Sequence, residues 1–216
     1  MDTEHLRFNM IEQQIRPWDV LDPAVLDLLH RVHREDFVPV AHRALAFVDM
    51  EIPLGHGAHM LSPKLEARLL QELAIQPTDH ILEIGTGSGY FTALLASMGQ
   101  HVTSVDIEPA HTQAAAKTLA NHNIRKVTLA TGDGAHGWGQ AHYDVIVLGG
   151  SVPQLAPAFE AQLKLGGRLL AIVGDAPAMH AQLITRVTPA ACQQVTLFET
   201  SVPALQNAPH PQRFVF

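Results

Sequence analysis

From residue 80 onward the chain alternates short apolar runs with longer helix-like ones, and few folds accommodate that rhythm. HILEIG (80–85) reads as a strand, GYFTALLASMG (89–99) as a helix ending at Gly99, and HVTSVDI (101–107) as a second strand. PAHTQAAAKTLANHN (109–123) is an alanine-rich helix, KVTLATGD (126–133) a third strand and YDVIVLGG (143–150) a fourth. The fourth is apolar almost throughout, as expected of a strand covered on both faces. LAPAFEAQLKLGG (155–167) reads as helix then turn, and GRLLAIVG (167–174) as a fifth strand. AQLITRVTP (181–189) and QQVTLFETS (193–201) are strand-like runs joined by a short loop, which predicts an antiparallel C-terminal hairpin at the sheet edge. The whole pattern predicts an α/β fold: a doubly wound, mostly parallel seven-stranded sheet with helices on both faces.

The first 48 residues look helical and form an N-terminal extension. In DPAVLDLLHRV (22–32), Asp22 is placed to cap a helix that Pro23 opens, and Val25, Leu28, Leu29 and Val32 follow at helical spacing. Residues 49–63 hold prolines and glycines and read as loop. Ser62-Pro63 opens a further helix with Leu65, Leu69, Leu70 and Leu73 on its apolar face. No linker is long enough to separate domains. We therefore expect one domain over 1–216: an extension with a substrate loop (1–75), a cofactor-binding core (76–175), and a hairpin and tail (176–216) ending in QNAPHPQRFVF.

The chemistry concentrates where the first strand meets its helix, in LEIGTGSGY (82–90). Gly85, Gly87 and Gly89 permit a tight turn and close approach of a ligand to the backbone. The spacing is G-x-G-x-G. Tyr90 stands where a dinucleotide fingerprint wants a third small residue. Asp106, 21 residues beyond Gly85, ends the second strand, where a carboxylate accepts from ribose hydroxyls, a feature shared with NAD sites. Asp133, in TGDGAHGW, is either an adenine acceptor or an Asx-turn former. Glu83 places an acid where a cationic amino-acid moiety would sit. Carboxylates without a basic residue disfavour a pyrophosphate and suit a cation bearing ribose and adenine, S-adenosyl-L-methionine.

LEIGTGSGYFTALLA, VDIEP, GDGAHGW, YDVIVLGGSVP and QLKLGGRLLAIVG resemble the successive motifs of class I S-adenosylmethionine-dependent methyltransferases. With HREDFVPVAHRALAFVDMEIPLGHG upstream, the chain is similar to the protein-L-isoaspartate O-methyltransferase family over about residues 5–175. The resemblance implies a Rossmann-like methyltransferase fold. It also implies cofactor contacts from Glu83, Gly85, Thr86, Gly87, Ser88, Gly89, Asp106, Ile107, Asp133 and Gly134. The implied substrate is a protein or peptide with isoaspartyl residues, whose free carboxylate is methylated.

One stretch departs from the family. Where its members carry G-x-G-Q-T-I-S-x-P, with Thr and Ser hydroxyls at the substrate, this chain reads GHGAHMLSP (55–63). His59 stands at the Thr position and Leu61 at the Ser position, and Ser62 comes one residue late. His59 and Ser62 are the candidate catalytic residues, with helix capping the competing role for Ser62. The departure leaves open another carboxylate or a hydroxyl on a small-molecule acceptor, and a protein that binds the cofactor without chemistry. His56 and His59 make half a zinc site and nothing at ligand spacing completes it, so no metal is expected.

Composition bounds the rest. With 14 Lys plus Arg against 21 Asp plus Glu, the net charge is −7, which offers no general field for nucleic acid. The single Cys192 makes no internal disulfide. The N-terminus has no signal-like apolar run and nothing approaches a membrane span, so a cytoplasmic protein is expected. Oligomeric state is not readable.

Overall fold

Asp22 and Pro23 start their helix as their chemistry dictates. The Asp22 carboxylate accepts from the Ala24 N–H at 2.8 Å, and Pro23 occupies the first helical position. A computed structural model gives the structure of residues 3–211. The apolar ending Phe214–Phe216 lies outside the described residues. The N-terminal extension comprises α1 (Thr3–Met10), a π-helical turn (Ile11–Ile15), α2 (Pro23–Arg31) and short 3-10 turns between and after them. α3 (Pro63–Leu73) follows, with Leu65, Leu69, Leu70 and Leu73 buried.

The core is the expected alternation: β3 (His80–Ile84), α4 (Tyr90–Met98), β4 (His101–Asp106), α5 (Pro109–Asn121), β5 (Val127–Thr131), β6 (Tyr143–Val152), α6 (Pro157–Ala161) and β7 (Leu163–Asp175). β8 (Ala178–Thr188) and β9 (Ala191–Thr200) complete a seven-stranded sheet in the order β5-β4-β3-β6-β7-β8-β9. Pairing is parallel from β5 through β7 and antiparallel from β7 to β9. Successive side chains point to opposite faces. Thus Ile81, Val145, Val147, Leu170 and Ile172 join the core under the N-terminal helices. Leu82, Ile146, Leu148, Leu169 and Ala171 join the core on the opposite face.

Strand order reverses at β3. The chain winds to β4 and β5 on one side, then returns to β6 and β7 on the other. Crossovers therefore diverge above the carboxyl ends of β3, β4 and β6, where such sheets bind ligands.

Two expectations need correcting. Residues 49–63 are not simply loop: β1 (Ile52–Gly55) and β2 (Ala58–Met60) pair as an antiparallel hairpin. His56 (φ 52°) and Gly57 (φ 78°) are its central turn residues, and positive φ at both is what a two-residue hairpin turn requires. The strands are too short for alternation to register in the sequence. The second correction concerns 155–167. The helix covers only Pro157–Ala161, and the leucine-rich remainder extends β7 backwards to Leu163. Among the described residues, no helix is long and apolar enough to cross a membrane.

Candidate active site

The glycine loop leaves β3 and turns into α4 beside the carboxyl ends of β4 and β6. Gly85 has φ 100° and lies against the Gly149 backbone, so two strands and the loop approach without side chains between them. The Gly87 N–H donates to Asp106 Oδ2 at 2.8 Å, and the Glu108 N–H to Oδ1 at 2.9 Å. Burial alone would raise the Asp106 carboxyl, but the hydrogen bonds from His111, Gly87 and Glu108 hold it below the ordinary carboxylate value.

Around this acid lies a cavity open to solvent. It is lined by Ile84, Gly85, Gly87, Asp106 and Ile107 at the ends of β3 and β4, by Gly132–Ala135 beyond β5, by Gly149–Gly150 on β6, and by Gly57–His59 with Leu61 from the hairpin segment. Asp106, Glu108 and Asp133 line it together with His59 and His111, and among the described residues no Lys or Arg does. An inner pocket continues between the hairpin and α4, lined by Leu54, His59, Met60, Leu61, Glu66, Glu83, Thr86, Ser88 and Phe91.

The site residues expected from sequence divide among these places. Gly85, Gly87, Asp106, Ile107, Asp133 and Gly134 line the main cavity. Asp133 also performs its competing role, because Oδ1 accepts from the Ala135 N–H at 3.0 Å. Its Oδ2 takes the amide of Asn207 at 2.9 Å, which fixes the C-terminal tail. Glu83, Thr86 and Ser88 face the inner pocket instead. The Thr86 hydroxyl is buried and bonded to Ser104 Oγ at 2.6 Å.

Gly89 lines neither space. A Cβ there would meet the Ala115 Cβ at 2.9 Å, so Gly89 serves the packing of α5 rather than a ligand. His59 lies between the two spaces and lines both. Ser62 lines neither. It sits at the N-cap of α3 without a side-chain capping bond, which separates it from the catalytic role expected of it. His56 stands at the hairpin tip with Nδ1 3.2 Å from Glu108 Oε2. Among the described residues, no group of three His, Cys, Asp or Glu is placed to hold a metal.

Sequence reasoning missed Glu108, His111, Gly149–Gly150 and the tail residues Pro203–Gln206, all at the cavity. The glycine pair ending a strand was a visible signal. The tail carried none, because its place is set by long-range contacts such as the Ser151 N–H donating to the Pro203 carbonyl at 3.0 Å.

Glu83 is fully buried. Thr92 Oγ1 donates to its Oε2 at 2.5 Å, while Oε1 finds no partner among the described residues. Burial pushes the carboxyl up to about 8, against hydrogen bonds from Ser104 and Thr92. A carboxyl raised on folding stabilises the fold fully below its unfolded value and loses that contribution as pH climbs through the folded value. Glu83→Gln, which never ionises, is therefore expected to gain about 2 kcal/mol relative to wild type between pH 6 and pH 9. Urea melts at the two pH values check this, and an offset independent of pH rejects it.

A doubly wound sheet with an acid- and glycine-lined cavity at its switch point defines a class I S-adenosylmethionine-dependent methyltransferase fold. Within that class, the family model for Protein-L-isoaspartate(D-aspartate) O-methyltransferase matches residues 5–205, and the chain belongs to that family. It is 39% identical to the protein-L-isoaspartate O-methyltransferase of Rhodopseudomonas palustris, covering 82% of this chain and 83% of that one. It is 35% identical to that of Gloeobacter violaceus, covering 93% and 98%. The fold is shared with a putative protein-L-isoaspartate O-methyltransferase from Plasmodium falciparum crystallised with S-adenosyl-L-homocysteine (TM-score 0.77, 16% identity, 95% of this chain and 99% of that one).

Proposed function

We propose that the chain uses S-adenosylmethionine to methylate the free carboxylate of isoaspartyl residues in damaged proteins. The observation that carries this reading, beside family membership, is the donor set of the cavity: carboxylates, glycine backbone and, among the described residues, no Lys or Arg. That set suits a cationic nucleoside and opposes a pyrophosphate. The unpartnered Glu83 oxygen at the inner pocket supplies an acceptor for an ammonium group. In this reading Asp106 takes the ribose, Asp133 and Gly134 the adenine side, and Gly85 and Gly87 the space against the backbone.

When bound, S-adenosylmethionine supplies an electrophilic methyl group. The acceptor carboxylate is already ionised at neutral pH, so the chain need provide no general base. Its task is to strip water from the acceptor, aim it and hold it. His59, which lines both the cavity and the inner pocket, is the candidate to donate to that carboxylate. Incubation with labelled S-adenosylmethionine is expected to leave base-labile label on an isoaspartyl peptide and none on its aspartyl twin. Equal labelling of both, or of neither, rejects the reading.

One observation favours a second acceptor class. At the inner pocket Leu61 stands where the family that the chain resembles carries a serine hydroxyl, beside Leu54, Met60 and Phe91, which removes one polar group from the acceptor's side of the pocket. Restoring the hydroxyl separates the two. If isoaspartate is the acceptor, Leu61→Ser is expected to raise its methylation by about tenfold to a hundredfold, the scale of one active-site donor. A rate left unchanged or lowered favours the other acceptor.

A further inference from the structure

The mouth of the cavity holds ionisable groups that methyl transfer itself does not use. His111 sits on the first turn of α5, lines the cavity and is only 6% exposed. Its Nδ1 lies 3.3 Å from Asp106 Oδ1, the oxygen that also accepts from the Glu108 N–H. Its Nε2 is buried and makes no hydrogen bond of full geometry among the described residues, although the Leu54 backbone lies close enough to favour the charged ring. The two backbone N–H groups fix one direction on each Asp106 oxygen, and the imidazole closes the remaining side of Oδ1. From the hairpin, His56 meets His111 edge-to-face with ring centroids 5.9 Å apart. The His56 carbonyl accepts from Gln206 Nε2 at 3.2 Å, so hairpin, α5 and tail converge over the acid.

We propose that His111 is a positioning residue for the methyl donor: its ring holds the Asp106 carboxylate in the orientation that receives the donor's ribose hydroxyls, and donor affinity follows the charge on that ring. The inference rests on the cofactor reading above and assigns a residue to it. The groups facing His111 are Asp106 from the end of β4, Glu108 from the start of α5 and His56 from the hairpin, with neutral Gln206 beside His56. The Asp106 hydrogen bond raises the imidazole above its ordinary value, against burial. The charged form therefore persists to higher pH than in a free histidine and disappears as pH rises through the raised value. Charged, the ring adds a positive charge to the cavity that admits a sulfonium. Neutral, it still donates from Nδ1 without that repulsion. Rising pH thus favours S-adenosylmethionine over the uncharged thioether S-adenosylhomocysteine.

Calorimetry with both ligands at pH 6 and pH 9 tests this on wild type, His111→Leu and His111→Asn. His111→Leu is expected to weaken S-adenosylhomocysteine about tenfold, the worth of one hydrogen bond to a charged group. Asparagine, whose amide reaches where Nδ1 did, is expected to return part of that loss. The Kd of S-adenosylmethionine relative to S-adenosylhomocysteine is expected to fall about threefold to tenfold more in wild type than in His111→Asn as pH rises. The asparagine variant subtracts titration of the ligands' own ammonium group. In wild type alone, the His111 ring followed by nitrogen NMR is expected to titrate lower with S-adenosylhomocysteine bound, and lower still with S-adenosylmethionine.

Leucine and asparagine variants that bind like wild type with the wild-type pH trend overturn the proposal and leave the cofactor reading standing. So do variants equally weak with that trend unchanged, or a ring whose midpoint ignores both ligands. Wild type that binds neither ligand overturns the cofactor reading and the inference with it.

Discussion

Replacing Arg34 with alanine is expected to cost the fold about 3–5 kcal/mol, the usual penalty for removing one partner of a buried ion pair. Arg34 is 1% exposed and spends its donors on three targets. Nε donates to the Ala46 carbonyl at 3.1 Å, Nη1 to the Glu66 carboxylate, and Nη2 to the Leu61 carbonyl at 2.6 Å. Its guanidinium also lies 5.3 Å from the Tyr90 ring centroid. The alanine variant leaves Glu66 buried without its cation and frees the Leu61 carbonyl that follows the β1–β2 hairpin.

The loss depends on pH in a definite direction. Burial already pushes Glu66 up to about 7 despite Arg34. Without the guanidinium the carboxyl rises further, so the variant must keep its proton at pH values where the wild type has released it, and its deficit widens as pH climbs above about 7. Urea unfolding at pH 5.5 and 8 is expected to show the larger deficit at pH 8. The double variant Arg34→Met with Glu66→Leu, which removes both charges, is expected to recover most of it. A deficit under about 1 kcal/mol at both pH values would mean that water reaches Glu66 and the pair is not buried in solution.

The central sheet was legible because its strands are buried on both faces and its helices carry their own start and stop residues. YDVIVLGG could be little else than an interior strand, and Asp22-Pro23 opened its helix where expected. The hairpin was not legible. Its strands are shorter than the period needed to recognise them, Pro53 interrupts the first, and the pairing is declared only by φ at His56 and Gly57. At the site, sequence spacing located the glycine loop and both aspartates but could not rank the glycines. Gly87 lines the cavity while Gly89 faces Ala115, and only the packing of α5 distinguishes them. Other lining residues were hidden for another reason. His111 stands in the first turn of a helix whose sequence reads only as alanine-rich, and Pro203–Gln206 lie nearly a hundred residues from the acid they help to cover. Tertiary contacts bring them there, and local pattern does not encode those.

Asp106→Asn is expected to weaken S-adenosylhomocysteine about a hundredfold, or close to 3 kcal/mol. The substitution keeps the shape of the side chain, so the loss isolates its hydrogen-bonding pattern. In the wild type, Gly87 N–H and Glu108 N–H donate to different oxygens of Asp106. Asparagine has one oxygen, and its amide must turn a donor toward one of those N–H groups. The orphaned N–H lies in a mostly buried site, so its desolvation is not repaid by water. The glycine loop then loses the anchor that holds Gly87, and the ribose loses a charged acceptor in the same step. Because Asp106 is held below its ordinary value, the wild type keeps this acceptor ionised well into the acid range, and a further fall in affinity, beyond the one set by the His111 charge, is expected once that carboxyl protonates. The asparagine variant should show no such acid limb. It should also lower the titration midpoint of His111, whose raised value comes first from its hydrogen bond to Asp106. Calorimetry that finds the variant within threefold of wild type would place the ribose elsewhere, and with it the donor.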